Sequence, residues 1–204
     1  EPINLESLQV QTVTTGFMSG SSVGGTINMK MAEPDYLNAN KITGMISSGY
    51  QTAAKSFYES ARLNYSTDKW AFRMSGTYRN NKNYRSSGGD VIDFSHFEKA
   101  NYSLSVKYKH NTYTYFKADL LGDDGWNIGY PALPMDVGYA AARIGSLSMH
   151  REIPSKPLYN WQVKIYANKI DHTMDDTKRP NVSMHMDMPG WSKTYGVYSE
   201  AELK

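Results

Sequence analysis

Cysteine is absent from all 204 residues, so neither a disulfide framework nor a thiolate metal site is available. Long apolar runs are absent as well. Nothing approaches the roughly 20 apolar residues a membrane-spanning helix needs, and mean hydropathy is low, at -0.59. Charge of one sign is scarce: the net charge is +2 and no basic run exists, which argues against a nucleic-acid partner. No helical periodicity of consequence, tandem repeat or low-complexity stretch is present. Residue 1 begins inside what reads as a folded segment rather than a signal peptide.

What is abundant is aromatic and alternating. There are 16 tyrosines and 4 tryptophans, several near the ends of strand-like segments. In Lys69–Arg79 the residues Trp70, Phe72, Met74, Gly76 and Tyr78 fall on one face, and Ala71, Arg73, Ser75, Thr77 and Arg79 on the other. Asn101–Lys109 repeats this, with Tyr102, Leu104, Val106 and Tyr108 opposing Asn101, Ser103, Ser105, Lys107 and Lys109. Tyr159–Lys169 does so again through Trp161, Val163 and Ile165. Segments of about 10 residues with one apolar and one polar face are the signature of transmembrane β-strands. A soluble sandwich alternates too, so periodicity alone leaves the solvent open.

The connections sharpen the choice. Short ones (Ser66–Lys69, His110–Asn111, Ile153–Pro157) alternate with long ones (Tyr84–Glu98, Leu121–Gly138, Asp171–Ser192). Outer-membrane barrels have this asymmetry, with short periplasmic turns and long external loops. The expected architecture is all-β and antiparallel, with about eight strands. They are placed near Lys41–Gln51, Ala54–Tyr65, Lys69–Tyr84, Asn101–His110, Thr112–Leu120, Tyr139–Arg151, Leu158–Ile170 and Lys193–Leu203. In the sixth, apolar residues shift from Ala140, Ala142 and Ile144 to Leu147 and Met149, which predicts a register-flipping bulge. Glu59 shares the apolar face of the second strand and is expected at an interface or paired.

Two stretches resemble a known family. Gly20-Ser21-Ser22-Val23-Gly24-Gly25-Thr26-Ile27-Asn28-Met29-Lys30 resembles the closing strand of the plug domain in TonB-dependent outer-membrane receptors. Asn127-Ile128-Gly129-Tyr130-Pro131-Ala132-Leu133-Pro134-Met135-Asp136 resembles an external-loop motif of part of that family. The resemblance implies a plug end over residues 1–34 and the early strands of a 22-stranded barrel over 35–204. It implies an active importer of a scarce nutrient, driven by a TonB complex acting on an N-terminal box, in contact with outer-membrane lipid. Most of the plug, that box and more than half of the barrel would lie outside these residues. A passive porin would lack the Gly20–Lys30 segment.

Candidate chemistry concentrates between Asp171 and Trp191. Met174, Met184, Met186 and Met188 fall there with His172 and His185. Thioethers together with imidazoles favour a soft ion such as Cu(I). Methionine is also a flexible packing residue, so an inward-packed loop whose His185 only hydrogen-bonds stays open beside the metal reading. Met135 is a second loop methionine, and Met18 a more distant candidate. The Met-His-Met-Asp-Met-Pro core is similar to a segment of the copper-type branch of the receptors, which implies a copper ion or metal complex as cargo. No resident cofactor is expected.

Catalysis finds little support. Asp123-Asp124 and Asp175-Asp176 are adjacent acids that diverge on a strand, and neither has calcium-loop spacing. Gly20–Gly24 has Gly-x-Ser-x-Gly spacing, but no helix follows it as a nucleophile elbow requires, and no His-x-x-x-His pair or phosphate loop occurs. An enzyme is not expected; a barrel hydrolase is the only kind the strands would suit.

Overall fold

The computed structural model describes residues 2–11, 25–180, 182 and 184–204. Contacts divide the chain into two units, Glu1–Glu33 and Pro34–Lys204, a break one residue before the expected boundary. Met18 and the Gly20–Gly24 part of the glycine-rich motif lie outside the described residues. The described residues of the first unit form a 3-10 turn, Pro2–Asn4, and the antiparallel pair β1 (Leu5–Gln11) and β2 (Thr26–Met31). Leu8 stands opposite Met29 and Val10 opposite Ile27, giving the pair one apolar face.

The second unit is one antiparallel sheet of eight strands in sequence order. They are β3 (Lys41–Gln51), β4 (Ser56–Ser66), β5 (Trp70–Asn81), β6 (Phe97–Asn111), β7 (Thr114–Ile128), β8 (Asp136–Glu152), β9 (Leu158–Asp175) and β10 (Asp187–Leu203). The sheet is a barrel-type meander that does not close, since β3 and β10 are its two edges. Strands β3, β5, β7 and β9 run toward one end. The connections 52–55, 82–96, 129–135 and 176–186 therefore gather there, and 67–69, 112–113 and 153–157 lie at the other end. Apart from the four-residue 52–55, that is the predicted long–short asymmetry.

Register sorts the side chains. Met74 stands opposite Leu63 and Leu104, Leu104 opposite Leu120, Leu147 opposite Ala118 and Ile165, and Ile165 opposite Val197. The other face pairs polar groups, with Ser60–Thr77 at 2.9 Å, Ser75–Ser103 at 2.8 Å and Ser105–Asp119 at 2.7 Å. Burial is inverted relative to a water-soluble protein. Arg73 is 9% and Thr77 4% exposed on the polar face, whereas Leu120 is 58% and Val197 75% exposed on the apolar one. Among the described residues of this unit no second sheet covers that apolar face.

All four tryptophans share the apolar face. Trp70 and Trp161 lie toward the short-turn end, and Trp126 and Trp191 toward the long-connection end. That spacing fits two aromatic girdles. Glu59 stands opposite Tyr78 and Ser48, away from the middle of the apolar band.

Two expectations need correction. The β8 ladder runs unbroken from Tyr139 to Glu152, and its one irregularity falls between Val137 and Tyr139. Ile144 and Leu147 simply occupy opposite faces. The strands also extend further than expected, β7 to Ile128, β9 to Asp175 and β10 back to Asp187. Two of the three long connections are correspondingly shorter, because their polar residues continue the ladder.

Candidate functional site at the long-connection end

The gathered connections are tied together by a few charged side chains, chief among them Arg179. Its Nε donates to Asp136 Oδ2 at 3.1 Å, and its Nη2 donates to Asp136 Oδ1, across 43 residues of sequence. The same Nη2 donates to the Tyr130 carbonyl at 2.9 Å. Asp136 Oδ1 also accepts the Tyr130 N–H at 3.1 Å. The guanidinium carbon sits 3.7 Å from the centroid of the Phe94 ring, a close cation–π contact. Side-chain exposure of Arg179 and Asp136 is 9% and 7%, so this pair is desolvated and neither charge could stand alone.

Backbone geometry places Phe94 for this role. Its φ is 58°, in the left-handed region that costs a bulky residue about 1–2 kcal/mol. Gly129 packs directly against it: a Cβ at 129 would lie 2.4 Å from the Phe94 carbonyl oxygen, so only glycine fits. The Gly129 N–H donates to the His96 carbonyl at 2.9 Å, joining the first two connections.

A second lock closes the last connection. Asp176, 3% exposed, accepts the Met186 N–H at 2.9 Å and faces His185 Nδ1 at 3.2 Å. Burial disfavours its ionisation, but the Met186 N–H and the His185 ring outweigh that and hold its carboxyl below the usual aspartate value. Lys178 Nζ donates to Asn127 Oδ1 at 2.6 Å, linking this connection to the end of β7.

The predicted ligand residues fall into three places. Met174 on β9 and Met188 on β10 are directly opposite in register, on the polar face, with His172 two residues along β9 on the same face. The His172 ring lies over Gly190, where a Cβ would come within 2.4 Å of it. Met184 and Met186 belong to the connection itself and are exposed, at 76% and 51%. His185 is held by Asp176 between them. Met135 is buried beside the Arg179 guanidinium, which approaches its carbonyl at 3.4 Å. Among the described residues no three His, Cys, Asp or Glu side chains converge, so a metal held here would rely on thioether sulfur.

The residues that organise this end, Arg179, Asp136, Phe94 and Asp176, are not distinguished by sequence pattern. The one available signal is Asp136, which closes the Pro-Ala-Leu-Pro-Met-Asp stretch. Its partner becomes visible only once the β8–β9 register sets Asp136 opposite Asp175.

The sequence matches no protein-family model and no curated protein. A solved structure, that of the copper transporter OprC, superposes on 100% of this chain with a TM-score of 0.85 and 18% sequence identity. The chain spans about a third (32%) of the OprC chain. A likeness at that identity establishes the fold, an antiparallel barrel-type sheet with its preceding strand pair.

Proposed function

We propose that this chain is the plug end and early barrel of an energy-coupled outer-membrane importer whose cargo is copper or another metal or metal chelate. The observation that carries the reading is the eight-stranded sheet with its apolar face exposed, its polar face more buried, and its long connections at one end. Its fold likeness to the copper transporter OprC supports the transport assignment. Outer-membrane lipid covers the apolar face. A TonB complex supplies the energy by acting on an N-terminal box.

The methionines support a stepwise handling of cargo. Met184 and Met186 are exposed at the outer end and meet a soft ion first. Met174, Met188 and His172 sit further along the polar face and receive it next. Thioethers do not protonate near neutral pH, so the methionine contacts persist in acid while an imidazole ligand is lost.

Replacing Met184, Met186 and Met188 together with leucine keeps volume and hydrophobicity but removes the sulfur. In the full-length protein, copper titration should then show lost binding with normal membrane insertion. Equal copper affinities for wild type and the triple variant would reduce the methionines to packing. Copper uptake that persists without the TonB complex would instead indicate a passive pore.

A further inference from the structure

Three cations interrupt the apolar face at a single level. Arg143 on β8 stands directly opposite Lys169 on β9, which stands opposite Lys193 on β10. The next level toward the short turns is Gly145, Ala167 and Tyr195, and the one after is Leu147, Ile165 and Val197. A cation facing lipid costs about 2–4 kcal/mol at the bilayer midplane and about 0–1 near its surface, so three in one row mark an interfacial level.

Each cation leans one step toward the long-connection end. Arg143 Nη2 donates to both carboxylate oxygens of Asp124, at 2.7 and 2.9 Å, and the Tyr102 and Tyr139 hydroxyls donate to that same carboxylate at 3.2 Å. Lys169 Nζ lies 2.8 Å from Asp171 Oδ2. Lys193 Nζ lies 6.0 Å from the centroid of the Trp191 ring. Such leaning is the snorkelling of long cations toward water. Two carboxylates face three cations, which leaves the row with an excess positive charge at Lys193.

The same cations edge the open apolar surface that includes Leu104, Leu120, Leu147, Ile165 and Val197. A broad apolar floor with cations along one rim fits a molecule with several hydrocarbon chains and an anionic head.

We propose that Lys169 and Lys193, backed by the fixed charge of Arg143, bind the phosphate-bearing headgroup of a membrane lipid whose acyl chains lie on that floor. The two lysines carry the direct contacts. Arg143 already donates through Nη1 to the Asp123 and Ala142 carbonyls and through Nη2 to Asp124, so it contributes charge from a fixed position. Each lysine has three donors, and Lys169 spends one on Asp171. The proposal rests on the apolar face meeting a bilayer.

The full-length protein in phosphatidylcholine bilayers, titrated with phosphatidylglycerol, tests this by the ratio of the two lipids it retains. Wild type should prefer phosphatidylglycerol. Lys169→Gln with Lys193→Gln should lower that preference about 25-fold, about fivefold per lysine, the ratio equivalent to about 1 kcal/mol per surface cation. Asp171→Asn, which frees Lys169, should raise it. Equal retention of both lipids by wild type, an unchanged preference in the double variant, or binding of inorganic phosphate without lipid preference would each overturn the proposal. A wild-type protein that fails to insert at all would overturn the barrel reading together with it.

Discussion

The middle of the eight-stranded sheet and its long-connection end are built on opposite rules, although the same strands run through both. In the middle, polarity is sorted by face: Leu104 and Leu120 point one way, Ser103 and Ser105 the other. Exposed apolar side chains there are stable only if the surroundings are apolar. At the end, sorting by face gives way to pairing. Arg179 with Asp136 forms an ion pair in a protected position, and buried Asp176 is satisfied by the Met186 N–H and the His185 ring. Strand β9 passes from one regime to the other within one element, from Val163 and Ile165 to Asp171 and Asp175. The middle thus depends on what lies outside the sheet, and the end on a few internal locks.

The largest effect should come from breaking a lock. Arg179→Ala leaves Asp136 buried and unpaired, a change that costs about 3–5 kcal/mol when a buried pair loses one partner. The loss should be local. Hydrogen exchange over 129–135 and 176–186 should speed up sharply while the amides of β4 to β6 stay protected. Arg179→Lys should recover only part of that protection, because an ammonium cannot fork onto both Asp136 oxygens and stack on Phe94. Unchanged exchange in Arg179→Ala would mean that the connections are held by something other than this pair.

The next effect separates the two faces of the middle. Leu147→Arg and Ser146→Arg place the same charge on neighbouring residues that point opposite ways. In bilayers the first should cost about 2–4 kcal/mol of folding free energy, and the second about 0.5 kcal/mol or less, as for a wet surface position. Denaturant unfolding of the inserted full-length protein would measure both. Similar costs would remove the distinction between the faces.

The smallest effect is a pH response confined to the end. The folded-state pKa of Asp176 is below its ordinary value of 3.8, so its stabilising contribution is fully present above that value. It is lost as pH falls through the lower, folded-state pKa. Protease sensitivity around Met184–Met186 should therefore stay flat from neutral pH down to about 4 and rise in stronger acid. Asp176→Asn should be sensitive at every pH. A wild-type rise between pH 7 and 5 would contradict this assignment.

Much of the middle was legible in sequence because a strand with one wet and one apolar face must alternate. Trp70, Phe72 and Met74 therefore declared their face without any partner. The strand extensions were not legible. Gly122 to Gly125 and Asp171 to Asp175 have the composition of loops, yet continue the ladder because backbone hydrogen bonds do not depend on side-chain polarity. Ile144 misled because it is an apolar residue on the polar face, and a shifted pattern was the simplest account of it. The methionine cluster was visible as composition, but the opposition of Met174 to Met188 needed the β9–β10 register. Arg179 and Asp136 meet only once the β8–β9 register sets Asp136 opposite Asp175, so no local pattern could join them.

The central claim, that the sheet turns its apolar face to lipid, is tested most directly by a nitroxide scan of Tyr102 to Tyr108 on β6. None of these 204 residues is a cysteine, so any cysteine elsewhere in the full-length protein is replaced before labelling. In the full-length protein in bilayers, collision with oxygen, which concentrates in hydrocarbon, should peak at 102, 104, 106 and 108 and fall at 103, 105 and 107. Collision with a water-soluble nickel chelate should not rise at 104 or 106. A chelate maximum at Leu104 and Val106, or oxygen accessibility without a period of two, would place that face in water or against protein and contradict the account.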